Sequence, residues 1–213
     1  MKAKIAVATV SGRAYYKLVN ELKSRGLFFL SLKPWDPTPL DIDVVITTEK
    51  ERHLVKHPNL LVYEDNVDPA IIIDEAMRLI QGKKNYEKVV AGIDPGETFG
   101  VAILGDGNVI ETFSCSSSEE TVKAVKEAFR RIPTSVNVVK VGDAPTYTRE
   151  LLRLLDDTLP ENVTIEIVSE AGTSHFTKDT THRRSIRDMK SATIIAGRMG
   201  QPYSRRKTNE VRC

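Results

Sequence analysis

Two kinds of hydrophobic pattern divide this chain. Short apolar runs rich in β-branched residues read as buried strands, and stretches with apolar residues three and four apart read as helices. In the first half the run 4–10, Lys-Ile-Ala-Val-Ala-Thr-Val, is a strand. Ser11 is the N-cap candidate of a helix running through Lys23, with Tyr16, Leu18, Val19 and Leu22 on its apolar face. Gly26 ends that helix, where positive φ is useful. Residues 27–32 form a second strand, and Pro34, Pro37 and Pro39 punctuate the loop after it. Residues 43–48 and 60–63 are third and fourth strands. Asp68-Pro69 opens a helix to Ile80, with proline at its first position. Strands alternating with helices predict a small parallel-sheet domain over residues 1–84.

The order changes after Gln81-Gly82-Lys83-Lys84. Residues 88–93 and 100–104 are apolar strands, and Gly105-Asp106-Gly107-Asn108 is a hairpin turn leading to a third strand over 109–115. Ser118, Glu119 and Glu120 open a helix through Arg131, their acids suited to the positive end of its dipole. A strand over 136–141, a helix over 148–155, a strand over 163–168 and a last helix over 185–199 complete a β-β-β-α-β-α-β-α series. The domain assignment is therefore 1–84, 85–203 and a basic tail over 204–213. The fold class is α/β: a small parallel Rossmann-like domain, then a mixed five-stranded sheet with flanking helices.

Length and composition agree with two such domains. The chain has 213 residues, 40% hydrophobic and 28% charged, enough apolar surface to bury a core for each. Apolar runs such as 70–73 fall far short of the roughly 20 residues that a membrane helix needs, and the N-terminus reads as a strand rather than a signal peptide. Cys115 and Cys213 are too few for a disulfide framework. Cys115 fits a core position on a strand, and a reducing cytoplasmic setting is expected, with no membrane partner.

Charge is distributed unevenly. Residues 85–175 carry 8 Lys/Arg against 15 Asp/Glu, whereas 176–213 carry 10 against 3. An acidic segment followed by a basic one suits a cation site beside a polyanion-binding surface, or two segments that neutralise each other. Ser11-Gly12-Arg13 resembles a phosphate-binding turn but lacks the Rossmann glycine spacing and a Walker lysine, so the first domain reads as a structural or interaction module. Trp35, Tyr15 and Tyr16 read as packing residues.

The stretch with most chemical content is Gly92-Ile93-Asp94-Pro95-Gly96-Glu97-Thr98-Phe99-Gly100. A carboxylate stands where a buried strand ends, held rigidly by the strand, and the glycines let a phosphate or metal approach the backbone. Further acids follow the later strands: Asp143 in Val141-Gly142-Asp143-Ala144-Pro145, and Glu170 in Val168-Ser169-Glu170-Ala171-Gly172-Thr173. Asp188 precedes a run of small residues in the last helix. The basic segment between that strand and helix offers Lys178, Arg183, Arg184 and Arg187 for phosphate-backbone contacts. His175 and His182 read as surface histidines, and Asp179 as an alternative ligand.

Over residues 86–200 these motifs resemble the RNase H-like superfamily, most closely RuvC-type Holliday-junction resolvases and YqgF-type nucleases. The Ile-Asp-Pro-Gly opening matches at Asp94, the Gly-x-Pro element at Gly142 to Pro145, the fifth-strand glutamate at Glu170 and the closing-helix acid at Asp188. Two positions depart from the pattern: Ala171 stands where YqgF-type proteins have arginine, and Ser191 where RuvC-type helices have a second acid. The resemblance implies a metal-dependent endonuclease acting on structured DNA or RNA. Asp94, Asp143, Glu170 and Asp188 would be its catalytic set, with Asp94, Glu170 and Asp188 binding Mg²⁺ or Mn²⁺. Such ions, in pairs about 4 Å apart, orient water and stabilise the leaving oxygen of a phosphodiester. Resolvases pair two active sites, which implies a homodimer. Two other classes share the signature. Asp94, Gly96 and Thr98 also match the phosphate loop of the actin and sugar-kinase group, which needs two copies of its fold, and a noncatalytic nucleic-acid-binding module would keep the fold with an incomplete metal site.

Overall fold

A computed structural model describes residues 4–169 and 181–205, the side chains of 181–186 excepted. The chain divides into two units, Met1–Asn85 and Tyr86–Cys213. Both are α/β, the first built on a parallel four-stranded sheet and the second on a six-stranded mixed sheet.

Unit 1 consists of β1 (Ile5–Ala8), α1 (Gly12–Ser24), β2 (Phe29–Leu32), β3 (Val44–Thr48), a short 3₁₀ turn (Arg52–Leu54), β4 (Leu60–Tyr63) and α2 (Pro69–Ile80). Its strands lie in the order β2-β1-β3-β4, all parallel. Ser11 and Asp68 cap the two helices as their sequences predict: Ser11 accepts a hydrogen bond from the Ala14 N–H and Asp68 one from the Ala70 N–H. Gly26 has φ of 64°, the left-handed conformation expected after a helix end. Alternate residues of β1 and β3 serve two cores. Ile5, Val7, Val44 and Ile46 pack against Leu18, Leu22, Ile73 and Ala76 of the helices, while Ala6, Ala8 and Val45 pack on the other face with Ile42 and Val55. Arg25 bridges Glu21 and Asp74 (2.6 and 2.5 Å), a buried ionic tie between α1 and α2. Two residues expected to pack are exposed instead. Tyr16 is 68% exposed, because α1 turns Ala14, Leu18, Val19 and Leu22 inward and leaves Tyr16 off that stripe. Trp35 is 59% exposed.

Unit 2 consists of β5 (Tyr86–Asp94), β6 (Phe99–Gly105), β7 (Asn108–Cys115), α3 (Ser118–Arg131), β8 (Thr134–Gly142), α4 (Pro145–Thr158), β9 (Thr164–Val168), α5 (Thr181–Gly197) and β10 (Gln201–Pro202). The sheet order is β10-β9-β8-β5-β6-β7. β5 pairs antiparallel with β6 and parallel with β8, β8 pairs parallel with β9, and β6 pairs antiparallel with β7. The β6–β7 turn has positive φ at both Asp106 (49°) and Gly107 (84°), the mirror-image turn whose twist suits a hairpin. Val89, Ala91, Ile93, Val101, Ile103, Val139 and Val141 face the core under α3 and α4, where Cys115 is also buried as expected. Their alternate neighbours Val90, Ala102, Leu104 and Val138 face Ala192 and Ala196 of α5.

The structure departs from the sequence reading in several places. Pro145 starts α4 three residues early, its fixed φ and missing N–H being suited to the first helical turn. α5 begins at Thr181, so His182, Arg183 and Arg184 belong to the helix rather than to the loop before it, and Asp188 lies well inside the helix rather than in its first turn. The expected five strands gain a sixth, β10, pairing with β9. Nor is Arg205 part of a loose tail: its guanidinium bonds Asp156 Oδ1 (2.8 Å) and the carbonyls of Asp156, Leu159, Pro160 and Val163 around the end of α4. Among the described residues no helix is long and apolar enough to cross a membrane.

Candidate functional site

The site grows out of a glycine track that brings α5 down onto the sheet. Asp188, Ala192 and Ala196 are four residues apart and so lie on one face of the helix. A Cβ on Gly92 would stand 2.2 Å from the Ala192 carbonyl oxygen and 2.7 Å from Ala196 Cβ, and a Cβ on Gly100 2.3 Å from the carbonyl carbon and oxygen of Asp188. No other residue type fits at either position without moving the helix. Gly100 is also the cross-strand partner of Asp94. Directly opposed residues point to the same face of a sheet, so the missing side chain at 100 seats Asp188 beside Asp94.

Asp94 ends β5 and is half-buried. After it, Pro95 to Thr98 turn the chain into β6, whose first residue, Phe99, is buried and meets the Tyr147 ring edge-on at 6.2 Å. With the turn so anchored, Thr98 Oγ1 donates a hydrogen bond to Asp188 Oδ2 at 2.7 Å. Asp94, Pro95, Gly96, Glu97, Thr98 and Asp188 line an open cavity of about 340 Å³.

The predicted residues therefore separate. Asp94 and Asp188 share the cavity. Asp143 does not line it: its side chain is exposed and its N–H donates to the Val168 carbonyl (3.0 Å). Strand parity explains this. β8 and β5 pair as Val141↔Ile93, so the next position, Gly142, stands beside Asp94, and Asp143 turns to the other face. Arg187 is half-buried next to Asp188 on α5. Glu170, Lys178, His175, Asp179 and Cys213 lie outside the described residues, as do the side chains of Arg183 and Arg184. Thr98 enters the site through its hydroxyl, a contact to the closing-helix acid that local spacing does not announce.

Two carboxylates from separate elements, facing an open cavity, suit a hard dication. Mg²⁺ takes one or two protein carboxylates and fills its remaining positions with water and phosphate oxygens. Among the described residues no group of three His, Cys, Asp or Glu side chains is placed to hold an ion, so they provide no closed structural site of the zinc type.

Unit 1 has a carboxylate of a different kind where the strand order reverses, between β1 and β3. Glu51, 8% exposed, accepts from Thr9 Oγ1 (2.5 Å), Thr48 Oγ1 (2.6 Å) and the Val10 N–H (2.8 Å). Burial pushes its carboxyl up. The bonds from Thr48, Thr9 and the backbone at Val10 and Ser11 outweigh burial and hold it below the ordinary value. Its carboxylate fills the turn that resembles a phosphate-binding loop, taking the Val10 N–H there.

Fold and geometry together define unit 2 as a mixed-sheet α/β domain with a pocket at the end of its central strand, lined by Asp94 and Asp188 and, on its exposed turn, Glu97. In unit 1, residues 4–80 match the family described as a response regulator receiver-like domain. No curated protein matches the chain. Among solved structures the chain is similar to Marinitoga piezophila Argonaute in complex with 5′ OH guide RNA, at 11% identity and a TM-score of 0.32, covering 84% of this chain and 41% of that one. It is also similar to that Argonaute in complex with 5′ OH guide RNA and target DNA, at 10% identity and a TM-score of 0.29, covering 84% and 40%. The chain thus spans about two fifths of those proteins, and likeness at this level defines neither its fold nor its activity.

Proposed function

We propose that unit 2 is a divalent-metal-dependent nuclease that hydrolyses phosphodiester bonds in structured DNA or RNA, as a resolvase-like endonuclease does. The observation that carries this reading is the convergence of Asp94 and Asp188 on one open pocket, despite their separation along the chain. The element order β-β-β-α-β-α-β-α, on which the resemblance to the RNase H-like superfamily rests, supports it.

In this reading Asp94 and Asp188 hold a Mg²⁺ or Mn²⁺ ion, and the resemblance assigns a further carboxylate to Glu170. The ion would supply Lewis-acid activation of the scissile phosphate and of the attacking water. Asp94 contributes a carboxylate fixed by β5, so little reorganisation accompanies binding. Pro95 and Gly96 line the same pocket. Lys178, Arg183, Arg184 and Arg187, in or just before α5, supply the positive charge that a nucleic-acid backbone requires. An actin-type nucleotide site has less support. Unit 1, with its all-parallel four-stranded sheet, is not a second copy of unit 2, and two copies are what that cleft needs.

The test is Mn²⁺ binding, followed by the electron paramagnetic resonance signal of the free ion, together with metal-dependent cleavage of labelled duplex, single-stranded and branched DNA and RNA. Asp94→Asn and Asp188→Asn should abolish cleavage and weaken Mn²⁺ binding while the far-ultraviolet circular dichroism spectrum stays unchanged. Equal Mn²⁺ binding by the parent protein and Asp94→Asn would overturn the assignment.

A further inference from the structure

We infer that Thr98 is the positioning residue of the metal pocket: its hydroxyl orients the Asp188 carboxylate toward the ion. This rests on the nuclease reading above. Asp188 reaches the pocket from a helix, whereas Asp94 comes from the end of a paired strand. The close seat of α5 on Gly100 fixes the Asp188 backbone and leaves its carboxyl free to rotate about χ2, a broad torsion. The Thr98 hydroxyl removes that freedom. It donates to Oδ2 at 2.7 Å, so one carboxylate oxygen is committed to the protein and Oδ1 remains for a ligand. Thr98 can do this because its own backbone is held on both sides. Phe99 anchors it from the C-terminal side against Tyr147, and Asp94, four residues earlier, ends the central strand.

The bond also sets ligand chemistry. Partners of this kind orient metal ligands and raise affinity. Removing such a partner costs about 10–100-fold in metal affinity. Threonine suits this role: its β-branched side chain has few χ1 states, and it lines the cavity.

The experiment compares Mn²⁺ affinity of the full chain, read from the free-ion resonance signal, for the parent, Thr98→Val, Thr98→Ser and Asp94→Asn, with thermal midpoints recorded for each. Thr98→Val is isosteric and lacks the hydroxyl. It should weaken Mn²⁺ binding by about 10-fold or more with its thermal midpoint close to that of the parent, and Thr98→Ser should restore binding to within a few-fold. If Asp94→Asn weakens binding and Thr98→Val does not, the positioning role is overturned and the metal reading stands. Equal weakening by Thr98→Ser and Thr98→Val would show that a hydroxyl at this position does not by itself sustain binding and would also overturn the positioning role. If Asp94→Asn binds Mn²⁺ like the parent, the pocket is no metal site and the inference falls with it.

Discussion

Glu51 in unit 1 and Asp94 with Asp188 in unit 2 stand at equivalent places, beyond or at the C-terminal end of a buried parallel strand. Around Glu51 two threonine hydroxyls and a backbone N–H close on the carboxylate, and the group is nearly sealed from solvent. Around Asp94 and Asp188 the chain leaves a cavity of about 340 Å³, and Thr98 engages one oxygen of Asp188 from the side. In an open α/β sheet this end is where ligands bind. Unit 1 fills that place with a side chain of its own, and unit 2 keeps it open. A carboxylate at a strand end is thus informative about function only when its surroundings leave room for something else.

The comparison can be broken most severely at Gly100. Gly100→Val places a side chain where the Asp188 backbone lies, so α5 must lift. We expect unit 2 to lose about 3 kcal/mol or more, read as collapse of hydrogen-exchange protection across β5, β6 and α5 while unit 1 peptides keep theirs. Next comes Glu51→Ala, which strands the Val10 N–H, the buried Thr9 hydroxyl and the half-buried Thr48 hydroxyl and should destabilise unit 1 by about 2 kcal/mol, read from exchange at β1 and β3. The same carboxylate gives a pH signature. Its folded pKa lies below the ordinary 4.5, so its contribution is complete above pH 4.5 and disappears as pH falls through the folded value. Exchange protection at β1 and β3 should therefore fall as pH drops below 4.5 in the parent and show a shallower fall in Glu51→Gln. The smallest expected effect is on stability in Asp94→Asn, under about 0.5 kcal/mol, because this half-buried carboxylate faces an open pocket. A loss as large as that of Glu51→Ala would erase the distinction between the two carboxylates.

Much of the fold could be read from local pattern. The helix caps at Ser11 and Asp68, the turn at Asp106-Gly107 and the strand ending at Asp94 are each written within a few residues, and each stands as read. Asp188 could be found through the resemblance of its helix, an acid followed by small residues, to the closing helix of the RNase H-like families. What could not be read depends on partners distant in sequence. Glu51 lies about 40 positions from Thr9 and Val10, and only the parallel pairing of β1 with β3 joins them. Asp143 depended on strand parity: where β8 ends decides which face the next side chain takes. Tyr16 sits one position off the α1 stripe, and β10 is two residues long with a proline, too little pattern to register.

That short last strand has a consequence for how the protein behaves in crowded company. A bare β9 would offer its main-chain groups to any neighbouring polypeptide, which is how sheets recruit one another into aggregates. Pro202 brings no N–H to the outer side of β10, and Arg205 bolts the next turn of chain to α4. Trimming the protein back to Gly200 would strip off both guards, and the first symptom would be turbidity on concentration rather than any change at the pocket.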